Sequence, residues 1–228
     1  MSARIDHLVI VASSLEQGTA WCEATLGVSP GPGGEHGFMG THNKLLRIAT
    51  VNHPRAYLEI IAINPIANND LRTRGLRWFD MDSAELQARI AKDGPQLAHF
   101  VACVPDVRAS VAALAAQGID RGTVTEASRM TPRGLLQWQI TLRGDGQRLF
   151  DGTLPTLIEW GDTHPAGALP DCGISLHTLA VRHPRAAELR AAYDAIGLEA
   201  VTVSEGQANL CATLLTPRGR VQLESKGL

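Results

Sequence analysis

The chain has 228 residues, 44% of them hydrophobic, and 21 basic against 23 acidic residues give it a net charge of −2. That length can bury a substantial core in one large domain or two small ones, and the charge favours neither nucleic acid nor an anionic membrane as a partner. We expect no transmembrane helix, which needs about 18 successive apolar residues, and no signal peptide. Four scattered cysteines without a C-x-x-C pair predict reduced thiols in a cytoplasmic protein.

The first predicted unit begins with an apolar strand over residues 4–11 that contains His7. A capping-box pattern at Ser14 opens a helix, and Gly27 suits its C-terminal cap. The unit closes with an apolar strand that is interrupted by Glu59, a carboxylate that is costly to bury without a partner. The last two strands of this unit are predicted over residues 44–50 and 56–63.

A glycine-rich loop is predicted over residues 29–43, between the first helix and the next strand. It carries His36, His42 and Asn43, which we assign to substrate binding because such loops often edge a binding cup. The loop lacks G-x-G-x-x-G and follows no Rossmann pattern, so a dinucleotide is not expected.

The second predicted unit repeats the first. An apolar strand over residues 97–104 contains His99, and a helix follows from Asp106 to Gly118. Its closing strand carries Glu159 and Trp160. Of these two, we assign Trp160 to substrate binding. Its other strands are predicted over residues 122–127, 135–142 and 155–161.

The third predicted unit has a strand over residues 175–181 with His177, a helix ending at Gly197, and a closing strand with Glu224. Its later strands are predicted over residues 200–203, 210–216 and 220–225. The spacings from the strand His to the helix-ending Gly are 20, 19 and 20 residues in the three units. This repeat predicts an α+β fold in which three βαβββ modules in tandem form curved mixed sheets. The predicted segments are module 1 (1–66), a helical connection (67–96), module 2 (97–161), a linker (162–173) and module 3 (174–228).

A repeated βαβββ unit with His in its first strand and Glu in its last resembles the vicinal oxygen chelate superfamily. That group includes glyoxalase I, extradiol dioxygenases, methylmalonyl-CoA epimerase and the bleomycin-resistance proteins. Local motifs are similar to its glyoxalase-like domain group over nearly the whole chain. These motifs are Ile5-Asp6-His7-Leu8-Val9, Gly40-Thr41-His42-Asn43-Lys44-Leu45-Leu46-Arg47, Tyr57-Leu58-Glu59-Ile60, Leu154-Pro155, Ile158-Glu159-Trp160-Gly161 and His164-Pro165.

The resemblance implies that two modules pair into a cup whose metal ligands come from their first and last strands. Carried over, the ligands are His7, Glu59, His99 and Glu159, holding a divalent zinc, nickel, iron, manganese or cobalt ion. Such an ion can chelate neighbouring oxygens of a small-molecule substrate, and Glu59 or Glu159 can move a proton, as in a lyase or isomerase. Three modules leave the pairing open: the first can pair with the second, or the third can pair with one of the others and make His177 and Glu224 part of the site.

Two other functions fit the same pattern. A set of His7, His99 and Glu159 would suit an iron-dependent ring-cleaving dioxygenase. A non-catalytic protein of the bleomycin-resistance type would instead sequester a drug or metabolite in the cup. A third alternative is an interaction or structural domain in which the His and Glu positions are vestigial. Open module faces favour a homodimer. Six arginines could bind an acidic substrate, and the sequence assigns none of them: Arg47, Arg72, Arg74, Arg77, Arg129 and Arg133.

Overall fold

The computed structural model describes residues 2–67, 76–131 and 134–227. Within these ranges it contains four α-helices: α1 (Leu15–Leu26), α2 (Ala84–Asp93), α3 (Val107–Ala115) and α4 (Ala186–Ile196). Its strands are β1 (Arg4–Val11), β2 (Gly31–His36), β3 (Thr41–Arg47), β4 (Tyr57–Ile63), β5 (Gln96–Cys103), β6 (Thr123–Thr131), β7 (Gly134–Leu142), β8 (Thr156–Trp160), β9 (Ser175–His183), β10 (Val201–Glu205), β11 (Asn209–Thr216) and β12 (Gly219–Glu224). The predicted connection over 67–96 contains α2, and its residues 68–75 lie outside the described ranges.

The first two units share one eight-stranded sheet with the order β2-β3-β4-β1-β5-β8-β7-β6. Within each unit the first strand pairs in parallel with the last, as β1 with β4 and β5 with β8. The antiparallel pairing of β1 with β5 joins the units. The predicted α+β fold of repeated modules is confirmed, and the modules that pair are the first and the second.

The third unit follows the same order of elements along the chain but has a different strand order. Its four-stranded sheet runs β10-β9-β11-β12, so the first strand lies between β10 and β11 and does not touch the last. His177 is exposed, and Glu224 accepts a hydrogen bond from Asn209 at 3.0 Å. These two residues are therefore not equivalents of the His and Glu in the first unit.

The glycine-rich segment over residues 29–43, predicted as a loop, contains β2 and the start of β3. Strand β2 is the edge of the large sheet, where Pro32 is tolerated because no further strand needs its missing N–H. The loop prediction was wrong because Gly33 and Gly34 remove the alternating side chains by which a strand is recognised.

The strand alternation divides the large sheet into two faces. Leu8, Ile10 and Leu58 belong to a core shared with α1, α3, α4 and the third unit. Val9 and Ile61 belong to a second core on the opposite face. The third unit thus packs on the helical side of the sheet and leaves the other face to a binding site. No helix in the described ranges is long and apolar enough to cross a membrane.

Candidate functional site

The second face of the large sheet holds a small cavity, here called the cup. Its polar lining residues are His7, His36, Asn43, Glu59 and Arg129, and its aromatic wall is Tyr57, Trp78, Phe79, Trp138 and Trp160. The cavity has a volume of about 40 Å³, which is space for only a few water molecules.

Strand pairing explains how His7 and Glu59 reach the cup together. Strands β1 and β4 are parallel neighbours in which His7 lies opposite Tyr57 and Val9 lies opposite Glu59. Alternate residues of a strand share a face, so all four side chains point to the same side of the sheet. The His7 ring also stacks on Tyr57, with ring centroids 4.5 Å apart.

A β-bulge in β1 brings Asp6 to the same cluster. The pairing with β5 shifts register between Ile5 and His7, so Asp6 is the extra residue and its side chain turns beside its neighbour. Asp6 Oδ1 lies 2.6 Å from His7 Nδ1, while Trp160 Nε1 and His164 Nε2 donate to Asp6 Oδ2 at 2.8 and 2.9 Å. A carboxylate that is 1% exposed is thereby fully hydrogen-bonded.

These bonds fix the charges of Asp6 and His7. Burial alone would raise the pKa of Asp6, but the hydrogen bonds from His164 and His7 lower it well below its ordinary value. Burial alone would lower the pKa of His7, but its bond to Asp6 and the neighbouring Glu59 raise it to about 9. At neutral pH the structure therefore holds an imidazolium between two carboxylates.

Glu59 faces His7 across a short gap. Its Oε2 lies 3.5 Å from His7 Nε2, and its Oε1 accepts a hydrogen bond from Asn43 Nδ2 at 2.5 Å. Burial alone would raise the pKa of Glu59, but the hydrogen bond and charge of His7 lower it below the ordinary value. Glu59 is therefore an ionised carboxylate at the floor of the cup.

Asn43 also contacts His36, which burial keeps neutral. The backbone N–H of Gly34 donates to Asn43 Oδ1 at 2.7 Å, which leaves the Asn43 amide nitrogen for Glu59 and for His36 Nε2 at 3.4 Å. His36 Nδ1 contacts Thr41 Oγ1 at 3.1 Å, and burial lowers the pKa of His36 to about 4 against the charge of Glu59. His36 is thus neutral, with Nε2 as an acceptor.

The structure brings together five of the predicted site residues: His7, His36, Asn43, Glu59 and Trp160. His42 does not join them, because it alternates with Thr41 and Asn43 in β3 and points to the opposite face of the sheet. Its neighbours there include Glu16 of α1 and Glu35, and burial lowers its pKa. The assignment of His42 to the cup is corrected accordingly.

His99, predicted as the ligand equivalent to His7, is sealed inside the protein with 0% exposure. Its Nδ1 lies 2.8 Å from the Gly152 carbonyl oxygen, and its Nε2 accepts from the Thr156 backbone N–H at 3.1 Å. Burial and the charge of Arg121 hold the pKa of His99 well below its ordinary value. With both ring nitrogens bonded, His99 is a neutral structural residue.

Glu159, predicted as the second carboxylate, lies outside the cup. Its neighbours Ile158 and Trp160 line the cup, whereas Glu159 Oε2 accepts a hydrogen bond from the Val107 backbone N–H at 2.8 Å, at the start of α3. The carboxylate therefore accepts a hydrogen bond from one of the free N–H groups at the N-terminus of this helix and stabilises it.

The four predicted metal ligands thus do not converge. In the part of the chain that the structure describes, no group of three or more His, Cys, Asp or Glu side chains is arranged to hold a metal ion. His7 Nδ1 bonds to Asp6 and Glu59 Oε1 bonds to Asn43, while His7 Nε2 and Glu59 Oε2 face each other at 3.5 Å. The donor set of the cup therefore does not fit a divalent metal, and its acid–base groups are side chains.

Replacing His99 with Ala should lower the free energy of unfolding by about 1–3 kcal/mol for each buried group left unpaired, here the Gly152 carbonyl and the Thr156 N–H. Urea unfolding measures the change. His177→Ala, at the exposed first-strand position of the third unit, is the control and should change stability by less than about 0.5 kcal/mol. Equal stability of the two variants would contradict the structural role of His99.

Several residues of the site were not predicted from the sequence. Asp6 precedes His7 in the sequence, but only the bulge in β1 shows that both side chains meet. His164 lies in the segment predicted as a linker. Arg129 was one of six unassigned arginines, of which Arg72, Arg74 and Arg133 lie outside the described residues.

Three solved structures are similar to this chain, and the first of them supports the fold. A protein from Staphylococcus aureus described as hypothetical has a TM-score of 0.58 at 14% identity, covering 97% of this chain and 85% of that one. Methylmalonyl-CoA epimerase of Streptomyces coelicolor, in complex with 2-nitronate-propionyl-CoA, has a TM-score of 0.41 at 16% identity over 70% of this chain and 97% of that one. The epimerase of Mycobacterium tuberculosis has a TM-score of 0.38 at 17% identity over 72% and 91%.

A comparison with curated proteins finds no match. The family model described as "Glyoxalase-like domain" matches residues 5–197, which is most of the chain and includes the cup residues of both modules. The chain therefore belongs to the glyoxalase-like domain family.

Proposed function

We propose that the chain is an enzyme of the lyase or isomerase class that moves a proton next to a carbonyl group of a small oxygenated molecule. The observation that supports this most is the buried pair of Glu59 and His7, whose reactive atoms face each other at 3.5 Å in the cup. A carboxylate base beside a hydrogen-bond donor in a site walled by aromatic rings suits general acid–base catalysis.

In this proposal Glu59 takes a proton from the carbon next to the carbonyl, and the electron pair of that C–H bond moves onto the carbonyl oxygen. The Nε2–H of His7 donates to this oxygen as negative charge develops, while Asp6 holds the ring in place from the other side. Return of the proton to the same or the neighbouring carbon completes an isomerisation. Departure of a leaving group from the neighbouring carbon completes an elimination.

The test is exchange of carbon-bound protons in D₂O, followed by NMR. Glycolaldehyde, hydroxyacetone and pyruvate serve as probes because each carries a proton next to a carbonyl. We expect the protein to accelerate exchange of at least one probe above the buffer rate. Binding of a probe in stoichiometric amount without any exchange would contradict the enzymatic proposal and favour the non-catalytic binding protein.

Removal of divalent metal should leave this exchange unchanged, because the acid and the base are side chains. The measurement is elemental analysis of the purified protein together with exchange rates before and after dialysis against EDTA. A loss of exchange that zinc, nickel, iron, manganese or cobalt restores would contradict the acid–base mechanism. It would also return His7 and Glu59 to the role of metal ligands.

A further inference from the structure

Two buried nitrogen atoms that line the cup lack acceptors. In the part of the chain that the structure describes, Arg129 Nη1 and Trp78 Nε1 have no hydrogen-bond partner. The Trp78 side chain belongs to the buried core at 7% exposure, and both residues line the cup beside Glu59 and His7. Leaving a buried donor unpaired costs stability, so two such donors at one cavity mark a place where a bound molecule would supply the acceptors.

The chain makes specific room for Arg129. A Cβ atom at Gly34 would overlap Arg129 Nη1, so the guanidinium occupies the space that a side chain on β2 would fill. The preceding Gly33 leaves room for Asn43 in the same way. The absence of a side chain at Gly34 thus lets the positive charge of Arg129 lie against the cup.

The cup opens beside a larger groove of about 720 Å³, and both are lined by Leu45, Arg129, Leu136 and Pro165. The charged residues lining the groove are Arg47, Arg55, Arg129 and Asp162, so three cationic side chains face one carboxylate. This local excess of positive charge stands out in a chain with a net charge of −2 and attracts anions.

We propose that the cup takes a small organic acid, whose carboxylate accepts hydrogen bonds from Arg129 Nη1 and whose oxygens also satisfy Trp78 Nε1. This proposal rests on the proposed function in that it names the substrate class of the same site. A carboxylate suits the planar guanidinium fork, and the small cup admits the reacting end while the groove holds any longer remainder.

Binding is measured separately from catalysis, on ¹⁵N-labelled protein by NMR of the Trp indole N–H and Arg N–H signals. Glycolate and hydroxyacetone are a matched pair of anionic and neutral probes, and inorganic phosphate tests another oxyanion. We expect glycolate to bind about tenfold to hundredfold more tightly than hydroxyacetone and to shift the Trp78 indole signal. Tighter binding of phosphate than of glycolate would overturn the carboxylate assignment.

Three variants make the test specific. Arg129→Gln should remove the preference for glycolate, and Gly34→Ala should do the same by displacing the guanidinium while its charge stays in the chain. Gly37→Ala is the control because no described atom lies within 4 Å of the added Cβ. Glycolate binding that survives in both Arg129→Gln and Gly34→Ala would overturn the proposal.

The two proposals can fail separately. Preferential glycolate binding without proton exchange of any probe would refute the enzymatic function and leave the anion site intact. Exchange of hydroxyacetone with no preference for anions in the wild type would refute the anion site and leave the enzymatic function intact.

Discussion

Replacing Glu59 with Gln should slow proton exchange by about 100-fold to 10,000-fold, the usual contribution of a positioned general base. The amide keeps the size of the side chain and can still accept the hydrogen bond from Asn43, so the cup should stay folded. It cannot take a proton from carbon. The measurement is the exchange rate of the best probe in D₂O, with circular dichroism as the check on folding.

The second module offers a matched control. Glu159 lies in β8, the last strand of its module, as Glu59 lies in β4. Its carboxylate, however, accepts a hydrogen bond from the Val107 N–H and faces away from the cup. Glu159→Gln should therefore change exchange by less than about twofold while removing the same charge. If both variants lose exchange to the same extent, the effect is one of net charge or folding, and Glu59 is not the base. If neither does, the proton transfer lies elsewhere.

The repeat of strand and helix patterns along the sequence was enough to predict the fold, because strand alternation and helix caps are local signals. Ser14 accepts from the Gln17 backbone N–H at 3.1 Å, and Gly27 ends α1 with a φ of 80°, as its position in the pattern indicated. Strand β2 was not predicted because this local signal is missing there: an edge strand that contains Gly33 and Gly34 carries no alternating side chains. Strand order in the third unit is a tertiary property that the shared element order does not encode.

The candidate site was only half predictable. His7 and Glu59 meet because the first and last strands of a module are neighbours, which the repeat implies. At the same positions in the second module, His99 bonds to the Gly152 carbonyl and Glu159 accepts a hydrogen bond from the Val107 N–H. These partners lie 53 and 52 residues away in sequence. Equivalent positions in a repeat thus share backbone geometry without sharing surroundings, and the chemistry depends on the surroundings.

Replacing Asp6 with Asn should lower the free energy of unfolding by about 3–5 kcal/mol, because it breaks a buried charged pair and leaves Glu59 as the remaining carboxylate beside His7. Asp6 accepts from His7, His164 and Trp160, and an Asn amide would face one of these donors with its own N–H groups. Asp151→Asn is the matched control. It removes a carboxylate from another Asp–His pair, with His183 at 3.0 Å, but that carboxylate is 58% exposed and its loss should cost less than about 1 kcal/mol.

The pH dependence of this difference tests the electrostatic origin of the effect. The folded-state pKa of His7 is raised to about 9 from 6.5, so its contribution to stability is fully present below pH 6.5 and is lost as pH rises through 9. The folded-state pKa of Asp6 is depressed, so its contribution is present above its unfolded value of 3.8 and is lost as pH falls below it. The cost of Asp6→Asn should therefore be largest between about pH 4 and 6.5 and smaller at pH 10.

Urea unfolding of wild type and Asp6→Asn at pH 6 and pH 10 measures this, since titrations shared by both proteins cancel in the difference. Asp6 and Glu59 both raise the pKa of His7, and Asp6→Asn removes only the contribution of Asp6, which therefore sets the size of the pH-dependent part. A cost of Asp6→Asn that is the same at both pH values would mean that His7 is neutral in the folded protein. In that case the imidazole could not serve as the acid facing Glu59, and the proposed division of roles between the two residues would be wrong.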